Sequence, residues 1–161
     1  MPLAGMDRQQ YLSTKFGSED NANSVYQRIA DEGEKNKIFF QFNKIAKTPN
    51  SFLSHKLLAY AHNKNKQTKV LELLFYKYFI EGEDIGSVNV LINAAKDADI
   101  YDENIEKYII SEKDNDSLLN EEKHAKNIGI NSVPCFIFNK KIVVNGAQPT
   151  KNFIQIIESL N

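Results

Sequence analysis

The clearest run of β structure in this 161-residue chain comes late, as CFIFN and KIVVNG around the turn-forming Asn139-Lys140. That pattern is a β-hairpin signal. A first strand this apolar needs a neighbour on its other side, or it leaves an unpaired edge. One other stretch, KIFFQF at 37–42, switches to β-branched and aromatic residues and reads as a short strand or extended segment. The remainder reads as helix. The expected plan is therefore a lopsided α/β fold, mostly helical by count, with an incomplete sheet.

Capping residues and apolar spacing place the helices. Asp7 starts one that runs to Phe16 and stops at Gly17. A second runs from about Asp20 to Lys35, with Ala22, Val25 and Ile29 inward. TPNS is a turn, and Asn50 or Ser51 is the expected N-cap of SFLSHKLLAYAH. In VLELLFYKYFIEG, Leu71, Leu74, Phe75, Tyr78 and Phe79 form a wide apolar stripe, and Tyr76, Tyr78 and Phe79 read most simply as core. Shorter helical pieces follow from Ser87, each beginning at Ser or Asp, and Gly129 closes the last. QPTKNFIQIIESL is a closing helix with Phe153, Ile156, Ile157 and Leu160 inward. The expected organisation is a single domain over 1–161. Helices and a short strand occupy 1–49, a helical block fills 50–128, and the hairpin and closing helix take 129–161.

Twenty basic residues face 21 acidic ones for a net charge of -1, so nothing draws the chain towards nucleic acid or an anionic membrane. A single cysteine excludes an internal disulfide and any C-x-x-C motif within these residues. MPLAGMDRQQYL lacks the pattern of a signal peptide, and no apolar run approaches the roughly 20 residues that cross a bilayer. The expectation is a soluble protein of a reducing cytoplasm, with no nucleic-acid and no membrane partner.

Two constellations bear on chemistry. Val133-Pro134 opens the hairpin, and the lone cysteine, Cys135, follows at once. A proline there can simply start an edge strand. The neighbours of Cys135, Phe136 and Phe138, give it the setting of a small packed hydrophobe. Neither a helix N-terminus nor a cation stands nearby to lower its thiol pKa. His55, His62 and His124 show no H-E-x-x-H pattern and no cysteine pair, so no metal site is expected.

Five stretches, MPLAGMDRQQYLSTKFG, TPNSFLSHKLLAYA, LFYKYFIEGEDIG, NIGINSVPCFIFN and VVNGAQPTKNF, resemble in order and spacing the DsbA family of the thioredoxin superfamily. The branch they resemble most is FrnE-like, related to 2-hydroxychromene-2-carboxylate isomerase. The resemblance implies a thioredoxin-like DsbA fold with an all-α insertion, a hairpin led by a cis-proline and a closing helix. It begins after the family's second strand, so the first strand, the C-x-x-C helix and the second strand are absent here. The expectation is that catalytic cysteines lie upstream of Met1, with this chain a fragment or Met1 an internal methionine taken as a start.

The activity implied is thiol-disulfide exchange, in which a thiolate attacks a substrate disulfide and its partner cysteine resolves the mixed disulfide. Pro134 is then expected to be cis, exposing the backbone of Val133 to a thiol substrate or extended peptide that pairs in strand fashion. Asn50, Ser51 and His55 match a segment at the mouth of the family's cleft, where they would orient a glutathione-like or quinone-like ligand. Plain helix capping is the alternative for Asn50 and Ser51. Gln148 matches a turn near the ligand, although Gly-Ala-Gln-Pro is also ordinary punctuation. No bound cofactor is implied, with glutathione a candidate co-substrate. Expected partners are a thiol or disulfide protein, a small-molecule thiol, and a second copy or other chain that completes the sheet. Two further readings stay open: a glutathione-dependent isomerase in which serine replaces the first cysteine, and a non-catalytic thioredoxin-fold binding module or gene fragment.

Overall fold

The structure, a computed structural model, describes residues 1–130 and 132–160. The chain divides into two compact units, Met1–Asp114 and Asn115–Asn161. The division falls inside the block that the sequence groups as 50–128.

The first unit opens with β1 (Met6–Asp7), which pairs antiparallel with β2 (Lys47–Thr48). Helix α1 (Arg8–Phe16) starts at Asp7, whose carboxylate accepts from the Gln10 amide at 2.9 Å, and ends at Gly17 with φ of 79°. Helix α2 (Glu19–Lys35) is capped by Ser18, whose hydroxyl accepts from the Asn21 amide. Four helices follow, α3 (Phe52–His62), α4 (Gln67–Tyr76), α5 (Val88–Asp97) and α6 (Ile105–Ile110). Their inward faces supply the core: Leu57, Ala61, Val70, Leu74, Leu91, Ala94, Ala95, Ile105 and Ile109. Leu57, Leu91, Ile105 and Ile109 are fully buried, and each such side chain contributes about 1.5–3 kcal/mol by leaving water.

Residues 37–42 do not form a strand. Phe42–Lys44 is a turn of 3₁₀ helix, and the short strand comes later, at Lys47–Thr48. The phenylalanines gather instead of alternating: Phe40 stacks on Phe42 at 5.0 Å, and Phe79 meets Phe40 edge-on at 5.6 Å. Gln41 donates its amide to Phe79 O at 2.8 Å. The Phe40 ring lies so close to Gly33 that a Cβ there would sit 2.6 Å from it. Aromatic packing has overridden the β propensity of KIFFQF.

The apolar stripe of α4 is also corrected. Lys77–Glu81 continues α4 as a π-turn, and its wider winding rotates the inward face. Leu74 and Tyr78 are buried, whereas Leu71, Phe75 and Tyr76 are exposed. Ile29 of α2, expected inward, is likewise exposed.

The second unit contains α7 (Asn115–Asn127), the hairpin β3 (Cys135–Phe138) and β4 (Ile142–Asn145), and α8 (Thr150–Glu158). Cys135 pairs with Asn145 and Phe138 with Ile142. Asn139 and Lys140 both have positive φ, 48° and 57°, the left-handed pair that a primed hairpin turn requires. Phe153 of α8 meets Phe136 at 4.7 Å and Phe138 at 6.1 Å. Phe153, Ile156 and Leu160 are half-buried, and Ile157, expected inward, is exposed. No residue of this unit is buried among the described residues. No helix of the described residues is long and apolar enough to cross a membrane.

Candidate functional site

Hairpin geometry defines the head of β3. Val133-Pro134 is a cis peptide bond. Pro134 O accepts from the Gly146 amide at 2.7 Å, which extends the ladder one residue beyond the strands. Hydrogen-bonding directions alternate along an antiparallel strand. The backbone groups of Pro134, Phe136 and Phe138 therefore face β4, and those of Cys135 and Ile137 face the opposite edge. That edge has no strand partner among the described residues, because β3 and β4 form a sheet of two. Val133, at its head, is 86% exposed.

Gly146 adopts φ of 80° with open space around it, and this bend carries the chain from β4 towards α8. Gln148 braces the bend. Its amide donates to Asn145 O at 3.4 Å, and its Oε1 accepts from Asn152 Nδ2 at 3.1 Å. Cys135 is a half-buried free cysteine.

The other expected site residues lie at the start of α3. Asn50 Oδ1 accepts from the Phe52 amide at 2.9 Å, while its Nδ2 donates to Pro2 O at 3.3 Å. Asn50 thus caps the helix and ties the N-terminal segment to it. Ser51 occupies the N-cap position without a side-chain capping bond. His55, one turn on, is exposed. Ser54 Oγ donates to Ile85 O at 2.6 Å, and Lys47 Nζ pairs with Asp84 at 2.7 Å, so this end of α3 is held to the 84–87 turn. His55 and His62 share α3, and no group of three or more metal-binding side chains occurs among the described residues.

Sequence reading did not single out the charges that the first unit buries. Lys56, fully buried, donates to Ser111 O and to Lys113 O beyond the end of α6. Burial pushes its pKa down. Lys77, in the π-turn, lies 3.2 Å from Asp97, 3.5 Å from Glu83 and 3.8 Å from Glu81. Burial opposes its charge, but the three carboxylates outweigh it and raise its pKa. Asp102 accepts from Lys64 at 2.8 Å and from the Tyr60 hydroxyl at 2.6 Å. Those bonds, Lys64 first, hold its carboxyl down to about 2. Burial and the same carboxylate push Tyr60 up to about 12. Arg8 is buried as well, and one signal could have drawn attention to it: it is one of only two arginines in a lysine-rich chain.

The family model of DSBA-like thioredoxin domains matches residues 1–158. The chain is similar in structure to a probable DsbA oxidoreductase from Streptomyces coelicolor, with a TM-score of 0.83 at 19% sequence identity. The superposition covers 96% of this chain and 67% of that one. At that identity the likeness speaks for the fold. No curated protein is significantly similar in sequence.

Proposed function

The chain belongs to the family of DSBA-like thioredoxin domains, and on that premise we propose that it carries the substrate-docking half of a thiol-disulfide oxidoreductase. The observation that carries this reading is the open edge of β3, headed by the exposed Val133. A substrate segment in extended conformation docks by adding a strand, bonding the free backbone groups of Cys135 and Ile137 beneath Val133. Pro134 O is already engaged with Gly146, so the docking edge is the one away from β4. Pro134 takes no part in bond making. Asn50, Ser51 and His55 offer polar groups to a glutathione-like thiol, and Gln148 holds the turn that follows β4.

Dithiol exchange needs two thiols, one to attack and one to resolve. These residues contain Cys135 alone. At least one thiol of the proposed reaction is therefore a cysteine outside these 161 residues, and the proposal assigns the attacking thiolate to it. The same single cysteine favours a second reading, a binding module that uses the edge without chemistry.

Insulin reduction by the 161-residue chain, with dithiothreitol as electron donor, is expected to equal the uncatalysed rate; clear turnover would overturn the assignment of the nucleophile. Docking is tested separately, by hydrogen exchange of the Cys135 and Ile137 amides with an extended disulfide-containing peptide present. Slowed exchange at those two amides is expected, and unchanged exchange would overturn the docking edge.

A further inference from the structure

A pocket in the first unit holds an arginine whose charge is not paired. Arg8 opens α1 and is 8% exposed. Its Nη1 donates to Thr48 Oγ1 at 3.3 Å and to the Tyr78 hydroxyl at 3.4 Å, and its guanidinium lies 4.7 Å from the centre of the Tyr26 ring. All three partners are neutral. No carboxylate lies within ion-pair distance of Arg8 among the described residues, and its Nε and Nη2 have no acceptor there. Glu83 Oε2 is the one fully occluded side-chain polar atom among the described residues that lacks a hydrogen bond. The unbonded nitrogens of Arg8 therefore keep contact with open space. Arg8 lines a pocket of about 640 Å³ between α1, α2 and residues 40–46, together with Leu12, Tyr26, Ala30 and Phe42 among others.

Burying a guanidinium against neutral partners alone is costly, and a carboxylate on the free Nε–Nη2 edge is the geometry that offsets it. The volume lies in the range of small-molecule sites, and the walls are mixed: Gln9, Asn23, Gln27 and Asn43 stand beside the aromatic and aliphatic side chains. Two acidic residues, Asp7 and Glu19, also line the pocket. Each stands at the start of a helix, which compensates its charge locally. Together they still repel a multiply charged anion, so the pocket selects a single negative charge.

We propose that this pocket binds a singly charged carboxylate on a compact apolar or aromatic body, with Arg8 holding the carboxylate, Tyr26 backing the guanidinium, and Leu12, Ala30 and Phe42 taking the apolar part. The proposal is independent of the docking edge on β3. The test is an NMR titration of the 161-residue chain with phenylacetate, following the Arg8 Nε–H and Tyr26 amide resonances. Saturable shifts in the millimolar range are expected. Phenylacetamide, which lacks the charge, should leave both resonances in place, and inorganic phosphate should bind at least about tenfold more weakly. Arg8→Gln should abolish binding, but it also removes two internal hydrogen bonds. Ala30→Phe fills the pocket from α2, and should keep the parent circular dichroism spectrum while losing the shifts. An unresponsive Arg8 resonance, equal binding of the amide or of phosphate, or parent-like affinity in Ala30→Phe would overturn the proposal.

Discussion

At Asn50 a single side chain does two structural jobs, capping α3 and holding Pro2 O. Asn50→Ala is therefore expected to cost about 1 kcal/mol of stability, measured by urea unfolding, whatever it does to a ligand; an unchanged midpoint would remove the capping role. Lys56 makes a sharper case. Its ammonium satisfies two carbonyls beyond α6 from a fully buried position. Lys56→Met keeps the stem but orphans those acceptors, for an expected loss of about 1–3 kcal/mol. Asp102 gives a pH signature. Its pKa in the folded chain is about 2, against about 3.9 when unfolded. A depressed carboxyl contributes stability that is present above the unfolded pKa and lost as pH falls through the folded one. The stability gap between the parent and Asp102→Asn should thus narrow between about pH 4 and about pH 2; a constant gap in acid-unfolding curves would mean that Lys64 and Tyr60 do not hold the carboxylate. Sequence could narrow the cap of α3 to Asn50 or Ser51, because both residue types cap. It could not choose, since the choice rests on where the Phe52 amide points. Nor could it tell Lys56 from other lysines, because burial is decided by elements 50 or more residues away.

Elements were legible where their signals are local. Asp7 and Gly17 bracket α1 in sequence and in structure, and Asn139-Lys140 supplies the left-handed pair that closes the β3–β4 turn. Signals failed where a contact distant in sequence decides. KIFFQF has strand composition, yet Phe40 and Phe42 are drawn to Phe79. The π-turn was illegible for a related reason: it has no composition of its own, and one wide turn re-aims every side chain after it. Gly82 ends that turn with φ of 78°, and a Cβ there would lie 2.5 Å from Lys44 O. Because the obstacle is backbone, Gly82→Ala has no cheap relief. It is expected to cost about 2 kcal/mol or more, from left-handed strain plus the displaced Lys44 carbonyl. Thermal unfolding of the variant checks this, and a melt within a degree or so of the parent would show that the 42–46 segment yields freely.

Across the whole molecule, burial is uneven, and that unevenness sets how the chain should open. The first unit places Leu57, Val70, Leu91, Ala94, Ile105 and Ile109 at zero exposure. In the second unit no described residue is buried, and Phe136, Ile137, Val143, Ile154 and Ile157 all stay exposed. Amides exchange by local or global opening, and protection rises with the apolar burial that an opening would undo. Amides of Val70, Leu91 and Ala95 should therefore exchange only on global unfolding of their unit, while those of Phe136 and Val144 exchange through a lower-energy opening of the hairpin. A difference of about 3 kcal/mol, roughly a hundredfold in rate, is expected under conditions where closing outpaces exchange. The same contrast bears on the proposed docking edge, because a strand added beside β3 would bury the apolar side chains that now stand open. Protection of Phe136 and Val144 should rise with an extended peptide bound and stay unchanged at Val70. Equal protection of the two units in the free chain, measured by native-state hydrogen exchange, would show that the hairpin is stabilised as firmly as the helical core, and the prediction of a lower-energy opening at β3 would fail.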